Sequence, residues 1–408
     1  MALDKVTTKV IADDAVTGAK IENNPTVAGN LTVAGTSTLT GNATASGNLT
    51  VTGDIVPSTP LSHRNMIING AMNVAQRSTS VTNNTSSNIH TVDRFRWNTN
   101  DGTFDHSQSD VTGAFGGLTK AMKVSNDVSD TSVDVSHINS ILYRGEAQDF
   151  LRLLEADGTG TQAFVLSFYA KISTGTGTYS VSVTLSDTST SANSRYTSSF
   201  TVSDANWNRY TIAVPANSVG VINNDNGKGI EIEWVLHAGS NYGGGTTGSW
   251  AVSSSSNNRK VSGQTDLFNG GTGRSFELTG VKLELGSSAT PFEHRSYAEE
   301  LRKCQRYMQK YSFFMCPGFW NGSQNARAYF THHVPMKSIP TLSEVDGSGD
   351  RGGVASPYTW STSTSGASVL NYFDNTSYIS RSGFSGGSDM KIINLLFQNY
   401  TVWFEAEL

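Results

Sequence analysis

The chain is short of cysteine, of charge and of long apolar runs, and each shortage closes off a class of protein. Its 408 residues hold two cysteines, Cys304 and Cys316, too few for a disulfide framework or a four-ligand zinc site. Both are expected to be reduced. Charged residues make up 15% of the chain and the net charge is −5. No basic field gathers phosphates and no Lys/Arg run is interleaved with aromatics, which argues against nucleic acid as a ligand. No apolar run reaches the length of a membrane span, and the opening Met-Ala-Leu-Asp-Lys shows no basic segment followed by an apolar one. The expectation is a chain made in the cytoplasm, neither exported by a leader nor inserted in a membrane. Enzyme motifs are scarce: a Gly-x-Ser-x-Gly occurs at 383–387, inside a glycine-rich stretch that reads as a loop, and there is no His-Glu-x-x-His and no cysteine cluster. The Gly-x-Gly-x-x-Gly at 347–352 lacks the strand and helix of a dinucleotide site and reads as a loop. His332 and His333 are neighbours on a presumed strand, so they point to opposite faces and cannot hold one ion together. No cofactor and no metal ligands are expected.

What is present is Gly, Ser, Thr and Asn with abundant strand formers, the composition of an all-β chain with many turns. Glycines recur six residues apart at Gly29, Gly35, Gly41, Gly47 and Gly53. Between them Leu31, Val33, Leu39, Leu49 and Val51 share one face of an extended strand, and Thr32, Thr38, Thr44 and Thr50 take the other. So short a repeat cannot cover its own apolar stripe, whereas three chains wound together would turn those five side chains inward. Residues 25–62 are therefore read as an intertwined trimeric β-stalk. A flexible Gly/Ser/Thr tether is the competing reading, and the strict glycine phase argues against it.

The rest divides by pattern. Residues 1–24, with two Val-Thr segments each ending in Lys-Val or Lys-Ile, have too few apolar groups for a core and read as a docking segment that orders on a partner, or else as a frayed terminus. Beyond Pro57 and Pro60, residues 63–295 alternate apolar and polar over many short segments, the signature of an antiparallel sandwich or jelly roll. A phase slip at Gly280 predicts a β-bulge. Ser296 and Glu299 read as a capping box opening a helix over 296–311, with Tyr297, Leu301, Cys304, Met308 and Tyr311 as its apolar stripe. That stripe packs either on a sheet or on two sister helices. Residues 312–408 read as a C-terminal β-sandwich tip. Asp93 and Arg94 read as a charged pair at an edge of the sandwich.

Three segments then carry a likeness: His-Arg-Asn-Met-Ile-Ile-Asn-Gly-Ala-Met-Asn at 63–73, Thr-Val-Asp-Arg-Phe at 91–95, and Glu-Leu-Thr-Gly-Val-Lys-Leu-Glu-Leu-Gly at 277–286 leading to Arg-Lys-Cys-Gln-Arg-Tyr at 302–307. Together with the N-terminal repeats they resemble tailed-bacteriophage tail fibres. Phe-Tyr-Ala-Lys at 168–171 and Trp-Asn-Arg-Tyr at 207–210 look like the carbohydrate-binding-module jelly roll that such fibres often carry. The resemblance implies a virion homotrimer docked through residues 1–24 to an adaptor, nozzle or baseplate protein of the tail. Its outer β-domains would meet host polysaccharide or lipopolysaccharide. No sugar-site residue of the family maps onto this sequence.

Sugar recognition wants aromatic faces and short polar groups on loops. Trp320, Tyr358, Trp360, Tyr372 and Phe373 of the tip sit among Gly, Ser, Asn and Thr and are the candidate contacts, with core packing as the competing role of each. The leading expectation is a non-enzymatic receptor-binding fibre. A tailspike-type depolymerase would need two carboxylates held about 5–10 Å apart in a cleft, and a head or collar decoration fibre would need no receptor site at all.

Overall fold

The computed structural model describes residues 62–408, with interruptions of which the longest are 187–192, 347–352 and 385–391, together with scattered positions between 30 and 52. The chain divides into two compact units, Met1–Val56 and Pro57–Leu408. In the first unit no described residue lies in a strand, and Val33 and Val51 are exposed by 50% and 44%. Leu31, Leu39, Leu49 and all of residues 1–24 lie outside the described residues.

The second unit begins with thirteen strands: β1 (Ser80–Asn84), β2 (Ile89–Val92), β3 (Phe95–Thr99), β4 (Phe104–Asp110), β5 (Lys120–Asn126), β6 (Ile138–Glu146), β7 (Phe164–Ile172), β8 (Gly177–Leu185), β9 (Asn193–Val202), β10 (Asn208–Val214), β11 (Lys228–Ala238), β12 (Ser249–Ser253) and β13 (Ser275–Leu285). They form two sheets, ordered β1-β4-β5-β13-β7-β10 and β12-β9-β8-β11-β6-β3-β2, with antiparallel neighbours. Alternation in the sequence makes the sandwich. Leu166, Phe168, Ala170 and Ile172 of β7 and Ile230, Ile232, Trp234 and Leu236 of β11 all turn into one shared core. There Phe168 meets Trp234 edge-on, ring centroids 5.6 Å apart. This is the jelly-roll-type β-sandwich that the patterning predicts.

The expected bulge is present. Register slips between Thr279 and Lys282 of β13, and Gly280 has φ +61°, a conformation that favours glycine. A Cβ there would stand 2.7 Å from Leu118 Cδ1 and 2.8 Å from Tyr169 Cδ2. The 63–73 motif ties the entry loop to this strand. Asn65 Oδ1 accepts from the N–H groups of Ile67 and Leu283 at 3.0 and 3.2 Å, and Val281 N donates to Gly70 O at 2.9 Å. Asn69 Nδ2 donates to Val74 O and Asp93 O, both at 2.9 Å. Asp93 and Arg94 do not pair with each other as the sequence suggests. Asp93 turns to Gln76 and Arg77, while Arg94 has φ +72° and carries its guanidinium the other way, to Glu407. Both are buried rather than at an edge.

Ser296 caps the helix as predicted, its side chain accepting from Glu299 N at 3.2 Å. The Glu299 carboxylate does not return the bond, since it takes Lys303 at 3.1 Å and Arg295 at 3.7 Å. Helix α1 (Tyr297–Gln305) stops well short of Tyr311. Met308 and Tyr311 instead pair with Glu405 and Val402 in a sheet, and that ladder overrides the helical spacing. Of the stripe, Cys304 is buried and Tyr297 is exposed.

The tip contains β14 (Met308–Trp320), β15 (Ala326–Thr331), β16 (Thr341–Asp346), β17 (Gly353–Ser356), β18 (Thr359–Thr362), β19 (Ala367–Phe373), β20 (Thr376–Arg381) and β21 (Ile392–Glu405). All are hydrogen-bonded into one eight-stranded sheet, order β18-β17-β21-β14-β15-β20-β19, with β16 also on β21. Cys316, Trp320, Ala326, Ala328, Ile379, Phe384, Leu395, Val402 and Phe404 form a core on one face. Tip and sandwich meet through charge. Arg77 Nε donates to Glu405 Oε1 at 2.6 Å, Arg77 Nη2 to Glu407 Oε1 at 3.1 Å, and Arg144 Nη1 to Leu408 O at 3.0 Å. The Arg94 guanidinium lies 3.4 Å from the centroid of the Tyr307 ring.

Candidate functional site

The outward face of the seven-stranded sheet is polar and yet buried. On β8, Ser180, Ser182 and Thr184 alternate with the core residues Tyr179, Val181, Val183 and Leu185, and on β11 Glu231 and Glu233 alternate with Ile230, Ile232 and Trp234. Register sets these side chains in two rows. Glu233 lies opposite Ser182 on one side and Leu142 on the other, and Ser182 lies opposite Thr197 of β9. Glu231 lies opposite Thr184 and Arg144, and Thr184 opposite Arg195. The rigid sheet therefore presents two carboxylates, two guanidiniums and several hydroxyls at fixed spacing.

The second row is fully engaged. Arg144 Nε donates to Glu231 Oε2 at 2.6 Å, Lys228 Nζ reaches the same oxygen at 3.4 Å, and Arg195 Nε donates to Thr184 Oγ1 at 2.9 Å. Burial alone would raise the Glu231 carboxyl, but the Lys228 and Arg144 charges bring it down to about 2. The first row has hydrogen-bonding capacity to spare. Glu233 Oε1 accepts from Ser140 Oγ at 2.7 Å and faces Arg259 Nη1 at 3.4 Å. Glu233 Oε2 and Ser182 Oγ have no partner among the described residues, although both residues are only 1% exposed. Buried polar atoms are nearly always paired, and these two unpartnered ones belong to residues that lie opposite each other in register.

Residues 257–261 lie over this face. Arg195 Nη1 donates to Asn257 O, Thr197 Oγ1 to Asn258 O, and Val261 N to Ser180 Oγ at 2.9 Å. The Arg259 guanidinium sits 5.6 Å from the Tyr242 ring centroid.

Sequence reasoning placed the contacts in the tip instead. Trp320 is 5% exposed and belongs to the tip core, its ring edge-on to Phe384 at 5.3 Å. Its place is the packing role weighed for it. Trp360 lies on β18, and Tyr372 and Phe373 on β19, but their side chains are outside the described residues, as is Tyr358 altogether. The Glu233–Ser182 row was legible only as strand alternation. Its signal was a carboxylate at every second position of a strand whose other face is Ile, Ile and Trp.

A separate cluster joins two loops of the sandwich. Asp101, Asp130 and His137 bring one ligand atom each within 4.8 Å of one another, beside a cavity of about 530 Å³ that Asp101 and Asp130 line. His137 Nδ1 is 3.2 Å from Asp101 Oδ2, and Asp130 Oδ2 also meets the buried His237 Nε2 at 2.6 Å. His332 and His333 do not lie on a strand as expected, because β15 ends at Thr331; His332 is buried and His333 exposed.

No family model matches the chain, and a search of curated proteins finds no match. Among solved structures it is similar to a sugar binding protein described as putative from Bacteroides thetaiotaomicron VPI-5482, at 12% identity over 55% of this chain and 100% of that one, TM-score 0.29. It is also similar to the enzymatically active domain of tailspike protein 4 of bacteriophage CBA120, at 12% identity over 54% of this chain and 21% of that one, TM-score 0.27. A family 11 carbohydrate-binding module from Clostridium thermocellum, in complex with a β-1,3-1,4-mixed-linked tetrasaccharide, matches at 12% identity over 52% of this chain and 99% of that one, TM-score 0.25. At such identities and scores the function has to be argued from this chain's own residues.

Proposed function

We propose that this chain is the subunit of a non-enzymatic, homotrimeric bacteriophage tail fibre that binds host surface glycan. In this reading residues 1–24 dock to the tail, residues 25–62 form the three-chain stalk, and the later domains face the host. The observation that carries the glycan part is the pair of unpartnered polar atoms, Glu233 Oε2 and Ser182 Oγ, on residues that lie opposite each other in the sheet. A carboxylate beside a hydroxyl suits the donor and acceptor pattern of a sugar diol. The fibre part rests on the glycine-phased repeat and the tail-fibre resemblance. Three copies would multiply a weak contact, gaining about a hundredfold or more through effective concentration.

Glu231, held at about 2 despite its burial by Lys228 and Arg144, has no proton to lend a leaving glycosidic oxygen at neutral pH, so Glu231 does not suit the role of a general acid. Two measurements test the proposal on the full chain. Light scattering should give the mass of three chains, and a monomer would overturn the fibre. On an array of bacterial surface polysaccharides, Glu233→Gln and Ser182→Ala should each retain at least one neutral polymer roughly tenfold more weakly, the loss of one good polar contact. Retention equal to that of the parent chain, or no retention by the parent chain, would overturn the glycan site.

A further inference from the structure

We propose that the outward face of the tip sheet carries a second glycan site, built on Tyr329, Tyr378 and Arg327, which takes a carboxylate-bearing sugar. It rests on the glycan-binding reading above and adds to it the ligand class of the tip.

Strand β15 alternates across the sheet. Ala326 and Ala328 enter the tip core, which leaves Arg327 and Tyr329 on the other side. Tyr329 lies directly opposite Tyr378 of β20, and the two rings stack at 4.9 Å with 28° between their planes. Tyr329 is 50% exposed. Trp97, Phe168 and Trp234 of the same unit are fully buried, so a stacked tyrosine pair with one ring half exposed is a feature the core does not account for.

Arg327 completes the platform. Its guanidinium carbon stands 5.7 Å from the Tyr378 ring centroid and Nη1 donates to Tyr378 Oη at 3.2 Å. With the Asn321 carboxamide oxygen turned toward it, Nη2 and Nε donate at 2.9 and 3.1 Å. These neutral partners fix the fork in place without neutralising it. No carboxylate among the described residues forms an ion pair with Arg327, although the arginines that join sandwich and tip, Arg77, Arg94 and Arg306, all hold one. A positioned guanidinium with its charge unmatched, in a chain of net charge −5, calls for an anion from outside. Its planar fork matches a carboxylate two bonds at a time. The tyrosine pair beside it supplies the apolar ring face on which the C–H side of a pyranose stacks, and Thr331 and Thr376, opposite each other two residues along the ladder and so on the same face, add hydroxyls at the rim. A uronic or similarly carboxylated residue satisfies all three features, whereas a neutral sugar would leave the guanidinium unmatched.

The test prints acidic bacterial capsular polysaccharides beside their carboxyl-reduced, neutral forms and probes them with the full chain and with Arg327→Gln, Tyr329→Ala and Glu233→Gln. The parent chain should retain at least one acidic polymer at least tenfold better than its reduced form. Arg327→Gln and Tyr329→Ala should each remove most of that preference, while Glu233→Gln leaves it intact. No preference for the charged form, or a preference untouched by Arg327→Gln, overturns the proposal. Neutral polymers lost only on Glu233→Gln would leave the sandwich site standing and remove this one, and a chain that retains nothing removes both. If Tyr329→Ala changes the mass in light scattering while retention is unchanged, the face lies between copies of the chain and the glycan site falls.

Discussion

Arg306 and Glu146 are joined by a two-pronged ion pair, Nε and Nη2 reaching the two carboxylate oxygens at 2.7 and 2.8 Å, and this links the end of the helix to the last residue of β6. The Glu146 side chain is fully buried and the Arg306 side chain partly open. Removing the arginine strands a carboxylate in the interior. Arg306→Ala should therefore destabilise the unit by about 2–4 kcal/mol, read as a lower urea midpoint. Arg306→Lys should recover only part of it, because an ammonium cannot fork.

Glu407 serves the same junction from the other end of the tip, where it meets Arg94 and Arg77. Burial opposes its ionisation, yet Arg94, His90 and Arg77 hold it at about 2, below its ordinary 4.5. A depressed carboxyl contributes stability that is complete above its unfolded value and is lost as pH falls toward the folded one. The Glu407 contribution should thus be flat above pH 4.5 and decline from there to about 2. Glu407→Gln should remove that part of the acid limb, and hydrogen exchange should show β14 and β21 opening more readily at neutral pH.

The buried histidines act in a higher window. Burial, with a smaller push from His333, lowers His332 to about 4 from its ordinary 6.5. Burial likewise lowers His106 to about 4. Between those values and 6.5 the unfolded chain binds protons that the folded chain does not, so stability falls as pH drops through that range. His332 Nε2 lies 2.7 Å from Ser377 Oγ, and His332→Gln keeps a polar group there without a titrating ring. The midpoint difference between pH 7 and pH 4.5 should shrink in this variant, and an unchanged difference would show that His332 does not titrate in this window.

Gly280→Ala tests the bulge. The substitution meets both a φ of +61° and contacts under 3 Å with Leu118 and Tyr169. A loss of about 2–3 kcal/mol is expected, with the register of β13 against β7 preserved on the Phe276–Thr279 side.

These elements show what could be read in advance. The sandwich was legible because β7, β8 and β11 alternate strictly and the sheets bury one side of that alternation. Even the Gly280 bulge showed as a phase slip. The helix end at Gln305 was not legible, because the four-three spacing through Met308 and Tyr311 is that of a helix face, and only pairing with β21, about 90 residues away in sequence, overrides it. The Arg94–Glu407 and Arg306–Glu146 pairs join positions far apart in the chain and leave no local pattern. For the same reason the sequence points to tip aromatics in loop-like surroundings rather than to Tyr329, which lies inside a strand, where its exposure depends on which face the fold covers.

Strand β21 reaches β14, β16 and β17, so it is the common partner of strands that precede it. In a chain emerging from the ribosome those edges stay open until Ile392–Glu405 has been synthesised, and an open edge pairs with whatever strand is near. The pace of translation through the last part of the tip therefore governs how long each nascent copy remains adhesive toward its neighbours on the same messenger.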